Sequence, residues 1–359
     1  MTTKPILDKK TKKIKSIEKF GVFTTAINVI FHGKTFCQLM RFLHNAVHYF
    51  FIPQFAVKFK MRKIPVLHVD SELDYKIPFT PMKIKDYTQF LNLWISPLSF
   101  LFKRFGANKF TVSVCDEMMR LADDCYLYAY KVYGYAMSTT KRPLCKVERK
   151  AAANFHMIRT WDPHYMCVPS LHISIIVLAI FYFRNVFKLC SADKADVSAS
   201  SSDVMPDNAR PGDMYVLTQE EISQFNKEIY ENGIRIAESV LFIKQHSVNC
   251  IAAALYMMRC CIPQLFTDAD VHEFVQNLFL NNTDVTLQDA ATIRSYILNL
   301  YEKFCNESEV LTDFAQPDMK AYIEELKGQD TFYIQNMLGL EKWATPVKAW
   351  LVAYKAYLP

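Results

Sequence analysis

A chain of 359 residues that is 51% hydrophobic has the apolar material for one large or two ordinary cores, which excludes a disordered polypeptide. With 8 Gly and 15 Pro beside 14% aromatics, long regular elements are expected, and their mostly helical apolar spacing predicts an all-α fold. The net charge of +6 is modest, and no nucleic-acid partner is expected.

Much of that charge lies between Lys9 and Lys15, so residues 1–17 read as a basic flexible tail, with contact to anionic lipid as the alternative. Residues 18–263 form the expected helical core, and 264–359 a C-terminal helical extension. From Ile17 to Lys60 one or two helices are expected. Val22, Ala26, Ile30, Phe36, Met40 and Leu43 trace an apolar face, the mark of a packing or membrane-surface element. The prolines between Pro65 and Pro81 enforce an extended connector. An aromatic helix over Ile84–Phe105, interrupted at Pro97, ends in Lys103, Arg104 and Gly106, which suits a helix C-terminus. Another helix is expected over Thr111–Tyr135.

The loop from Ser138 to Pro143 carries Lys141 and Arg142, either an anion clamp or two solvated cations. A helix ending near Leu189 gives way to a Ser-, Asp- and Pro-rich stretch that reads as a flexible insert at 191–212. Thr218-Gln-Glu-Glu221 is a capping box opening the next helix, and a further helical run continues from Arg235 to Arg259. Beyond Pro263 four more helices are expected, over Asp268–Leu280, Thr286–Phe304, Pro317–Leu326 and Pro346–Tyr357.

No signal-peptide pattern opens the chain, and its ten cysteines are expected to be reduced thiols. They form no C-x-x-C pair or zinc spacing; His164, Cys167 and His172 can be drawn as ligands, but no metal is expected. The apolar runs Val168–Phe183 and Val240–Pro263 fall short of the roughly 20 clean apolar residues of a membrane span. They read as buried helices or weak spans, and the expected location is membrane-associated or cytoplasmic.

Two stretches carry the candidate chemistry. In Asp162-Pro-His-Tyr-Met-Cys-Val-Pro-Ser-Leu-His172, Pro163 and Pro169 forbid regular helix up to Ser170, which places Ser170 and His172 at a helix start. Unpaired N–H groups and the positive dipole end there favour an anion, although an N-cap serine and a packed histidine explain the same residues. The second stretch, Ser239-Val-Leu-Phe-Ile-Lys-Gln-His-Ser-Val-Asn-Cys250, adds His246 and Lys244. Two imidazoles and several cations are what phosphoryl transfer needs: one ring attacks phosphorus, the other protonates the leaving oxygen, and Arg or Lys neutralises the nonbridging oxygens.

Pro169-Ser-Leu-His172 and Lys244-Gln-His246 resemble the second and third motifs of the type 2 phosphatidic acid phosphatase and haloperoxidase superfamily, and look most like its inositol phosphorylceramide synthase-like branch. The resemblance implies that family's helical bundle, with His172 as general acid, His246 as the nucleophile that forms a phosphohistidine, and Ser170 as a phosphate ligand. It also implies no cofactor, with vanadate as a phosphate analogue, and a phosphomonoester or lipid phosphate as substrate. Arg142-Pro143 matches the end of the first motif, but no lysine stands at its usual spacing; Lys141 and Arg159 are candidates for the missing cation. In the third motif Val240 replaces the usual Arg, leaving Lys244 to supply the charge. The acidic position that orients the nucleophile falls on Cys250. A neutral thiol holds an imidazole poorly, so a non-catalytic binder of phosphate or lipid headgroups, or a purely structural helical protein, stands beside the enzyme.

Overall fold

The structure is a computed structural model that describes residues 5–9, 11–143, 147–191, 216–306 and 343–354. It is predominantly helical. In chain order the main elements are α1 (Phe23–Phe31), α2 (Gly33–Ala46), α3 (Ile52–Lys58), β1 (Val66–His68), α4 (Ile84–Tyr87), α5 (Phe90–Phe105), α6 (Lys109–Tyr133) and β2 (Met137–Thr139). They continue with α7 (Arg149–Trp161), α8 (Leu171–Leu189), α9 (Gln219–Phe242), α10 (Val248–Cys261), α11 (Asp268–Asn277), α12 (Leu287–Cys305) and a final helix, Ala344–Ala353.

α8 lies at the centre because it is apolar all round. From Ile173 to Phe183 every side chain is buried, and α5, α6, α9 and α10 all pack against it, as a helix without a polar face requires. By length and composition α8 could also cross a membrane, though most of its surface is already covered by its neighbours. Its contact with α9 is close at Gly233, where an added Cβ would stand 2.6 Å from Ile180 Cδ1.

Sequence signals locate most helix ends. Thr218 and Glu221 form the expected capping box of α9, and Gly106, at φ +79°, ends α5. Pro97 sits inside α5, which runs on through it. The run expected from Arg235 to Arg259 is two helices, broken at residues 243–247.

Other departures have tertiary causes. Residues 5–9 and 11–17, expected as a loose tail, make a small ladder in which Leu7 bridges Ile14, while Ile17 is buried and donates its N–H to Glu228. The connector after Pro65 supplies β1, which pairs in parallel with β2; pairing between distant segments leaves no local periodicity to read. The helices α11 and α12 share one apolar core with α8 and α10 through Phe274, Ile293 and Ile297, so the described part of the extension is packed into the same body. The insert at 191–212, apart from Ser191, and the helix expected over Pro317–Leu326 lie outside the described residues.

Candidate functional site

Two helix boundaries bring the paired imidazoles together. Ser170 caps α8, its Oγ accepting from the Ile173 N–H, and His172 follows in the first turn. At the other boundary α9 ends at Phe242 and the chain reverses through Lys244, whose φ of +57° is the left-handed conformation that commonly closes a helix. The N–H groups of Gln245 and His246 return to the Val240 carbonyl, which tucks His246 against α8. The Ser170 N–H donates to the Cys250 carbonyl, joining the start of α8 to the first turn of α10.

The rings of His172 and His246 lie 5.4 Å apart, centroid to centroid, with His172 Nδ1 at 3.2 Å from His246 Nε2. His246 Nδ1 faces the Cys167 carbonyl at 3.2 Å, and His172 Nε2 faces the Tyr87 hydroxyl at 2.7 Å. These partners fix every proton in the neutral pair. A carbonyl only accepts, so His246 carries its proton on Nδ1 and leaves Nε2 as a lone pair. His172 must then donate from Nδ1, and its own Nε2 accepts from Tyr87.

Burial pushes the His172 pKa down to about 4; burial, and then the neighbouring His172, pushes His246 well below the usual histidine range. Burial likewise holds the Tyr87 phenol above its ordinary value. The chain from Tyr87 to the Cys167 carbonyl is therefore uncharged at neutral pH and runs in one direction.

The carbonyl at its end is itself anchored. The N–H groups of Cys167 and Val168 both donate to Ser138 Oγ, at 3.1 and 2.8 Å, so β2 positions the group that orients His246. Cys250, the position expected to orient it, does something else. Its Sγ accepts the Ser247 N–H at 3.3 Å, completing the cap of α10, and burial keeps it a neutral thiol by raising its pKa.

Arg142 is linked to this group through Gln245. It donates to Gln245 Oε1 at 2.7 Å, beside His246, and to the Asp162 carboxylate at 3.3 Å. Its Nε is buried without a hydrogen-bond partner among the described residues. Burial pulls the guanidinium below its ordinary pKa, but an Arg stays charged. Burial by itself would raise the Asp162 carboxyl; hydrogen bonding to His164 and the charge of Arg142 outweigh it and hold the group below the usual carboxylate range. His164, kept neutral by burial, lies 2.7 Å from Thr140 Oγ1 and fixes the loop that carries Arg142.

The remaining candidates are engaged with other partners. Lys244 turns its Nζ to the carbonyls of Asp74 and Ile77, at 2.5 and 2.6 Å, because the left-handed turn aims its side chain at that connector. The Lys141 N–H is held by Asp70, and Arg159 caps the Pro143 carbonyl at an exposed position. Ser170 Oγ is fully buried and used in capping. Sequence reasoning missed Tyr87, Ser138, Gln245 and the Cys167 carbonyl. Of these only Gln245, next to His246, had a signal in the chain.

No family model, curated protein or solved structure matches this chain.

Proposed function

We propose that the protein is a metal-independent phosphatase or phosphotransferase acting on a phosphomonoester or lipid phosphate through a phosphohistidine, as its resemblance to the type 2 phosphatidic acid phosphatases implies. The observation that carries this reading is the lone pair of His246 Nε2, fixed by the Cys167 carbonyl and aimed at a proton on His172 Nδ1. A phosphoryl group entering between the rings would meet a nucleophile on one side and a proton donor on the other. A phosphate anion beside the rings raises the proton affinity of His172, whose Nε2 takes up a second proton. His246 Nε2 then attacks phosphorus, the bond to the leaving oxygen breaks, and that oxygen takes the Nδ1 proton of the imidazolium, which leaves His172 neutral. Water or an alcohol then attacks the phosphohistidine and returns a proton to His172. The buried Arg142 Nε–H, without a hydrogen-bond partner among the described residues, suits a nonbridging phosphate oxygen, a charge-assisted hydrogen bond.

Turnover of aryl and alkyl phosphates, with vanadate as inhibitor, tests the proposal. His246→Ala should abolish hydrolysis, and a fully active variant would overturn the nucleophile. Cys250→Asp should not raise activity, since the Cys167 carbonyl already holds the imidazole.

A second reading, a non-catalytic binder of phosphate or lipid headgroups, is favoured by two facts: the rings touch directly at 3.2 Å, and Lys244 is committed to carbonyls. Vanadate binding without hydrolysis of any phosphoester would establish it.

A further inference from the structure

We infer that the outer face of α1, α2 and α3 is a docking surface for an anionic lipid bilayer, whatever chemistry the paired imidazoles perform. Phe23, Ile27 and Ile30 on α1 and Phe36, Met40 and Leu43 on α2 recur at helical spacing and form the exposed stripe. Phe23 is 74%, Ile30 57% and Met40 50% exposed. In an ordinary surface helix the apolar stripe faces the core and the polar one faces water.

Here several polar side chains of the two helices bond across to α6 and α5. Arg41 and Asn45 of α2 both bond to the buried Asp123 of α6, at 2.8 Å, and Lys34 pairs with Asp116 at 3.0 Å. On α1, Thr25 is buried against Ser99 of α5 at 2.7 Å. The apolar residues are left on the outside by this arrangement, and they make a contiguous surface of the kind that marks an interaction site.

Charge selects the occupant. Residues 20–69 contain no Asp or Glu and six Lys or Arg. Lys34 and Arg41 are paired with Asp116 and Asp123, while Lys58, Lys60 and Lys63 lie exposed where α3 ends, beside the exposed Phe59 and Met61. Apolar side chains at the level of the acyl boundary, with lysines beside them at the headgroups, are the components of an interfacial helix. Basic groups add affinity only where the lipid is anionic. A protein partner, or a second copy of this chain, would leave this acid-free composition without a reason.

The test is partition of the full chain onto phosphatidylcholine vesicles with and without phosphatidylserine. The protein should sediment with the vesicles, more so when they are anionic and less so in high salt. A Phe36→Glu, Met40→Glu double variant should lose roughly tenfold or more in partition with an unchanged circular dichroism spectrum, because both positions are exposed. A fluorophore on the exposed Cys37, in a Cys305→Ser background, should shift to the blue on anionic vesicles. Wild-type protein that ignores anionic vesicles, or a dye that does not shift, overturns the inference. So does a dimer that the double variant converts to monomer in the absence of vesicle binding. Because partition is read without substrate, its failure leaves the phosphatase reading standing, and the reverse holds too.

Discussion

Tyr87 decides which nitrogen of His172 carries the proton, and with it whether His172 can act as an acid toward the space between the rings. Its hydroxyl donates to Nε2 at 2.7 Å, so the imidazole proton must sit on Nδ1, opposite His246. In Tyr87→Phe that constraint is gone. Under the proposed chemistry, turnover should fall by roughly 10- to 100-fold for alkyl phosphates and less for aryl phosphates, whose leaving oxygen needs no proton. Burial also makes a prediction that needs no catalysis. His172 titrates near pH 6.5 in the unfolded chain but at about 4 when folded. The unfolded state therefore takes up its proton first as pH falls, and folding stability contributed by the neutral ring is lost between those values. The loss is on the order of 3 kcal/mol from this residue, measurable by urea unfolding from pH 7 to pH 4. Binding of an anion beside both rings raises their proton affinity. Vanadate or phosphate binding at pH 7 should therefore take up protons, seen by titration calorimetry in buffers of different ionisation enthalpy.

At the scale of elements, the break between α9 and α10 is the feature that makes the site, and Lys244 is its hinge residue. A non-glycine residue at φ +57° is strained, and the two carbonyl contacts of its ammonium offset part of that strain. Both Lys244→Ala and Lys244→Gly lose the contacts, but only Ala keeps the strain. The glycine variant should therefore be more stable than the alanine variant by about 1 kcal/mol, as compared by thermal melts. Since the ammonium points to residues 74 and 77, either variant should bind vanadate within about twofold of wild type once folded. The apolar, breaker-free composition of residues 235–259 reads as one helix. No Pro or Gly marks the stop, because the turn is held by backbone bonds to Val240 and by a side chain reaching a connector far away in sequence. The stripe on α1 and α2 shows the same limit. Its periodicity is plain in the sequence, but periodicity gives a face and not its direction. Burial of Asp123 under Arg41 and Asn45 turned that face outward.

For the molecule as a whole, α8 is the element on which the others are hung, and its fit to α9 is tight where Gly233 meets Ile180 and Ile176. Gly233→Val would drive branched atoms into both isoleucines and should lower stability by about 1–3 kcal/mol, despite the better helix propensity of a side chain over none. Chemical denaturation reads the change. The same packing ties the far end of the chain to the site's surroundings: Asn249 of α10 bonds to Tyr296 of α12 and to Tyr354 beyond the last helix, at 2.7 and 3.0 Å. The C-terminal helices thus brace the first turn of α10 rather than forming a unit of their own.

The amino-acid sequence determined the helical class, the capped starts of α8 and α9, and the identity of the two histidines, because each rests on neighbouring residues: periodicity, breakers, caps and short motifs. Tertiary structure decided that the two rings meet, that the Cys167 carbonyl and not Cys250 orients His246, that Tyr87 fixes His172, and that Lys244 points elsewhere. It also set which way the first helices face. These are contacts between segments tens to hundreds of residues apart, chosen by how α8, α9 and α10 pack, and a linear pattern carries no record of the angle at which one helix meets another.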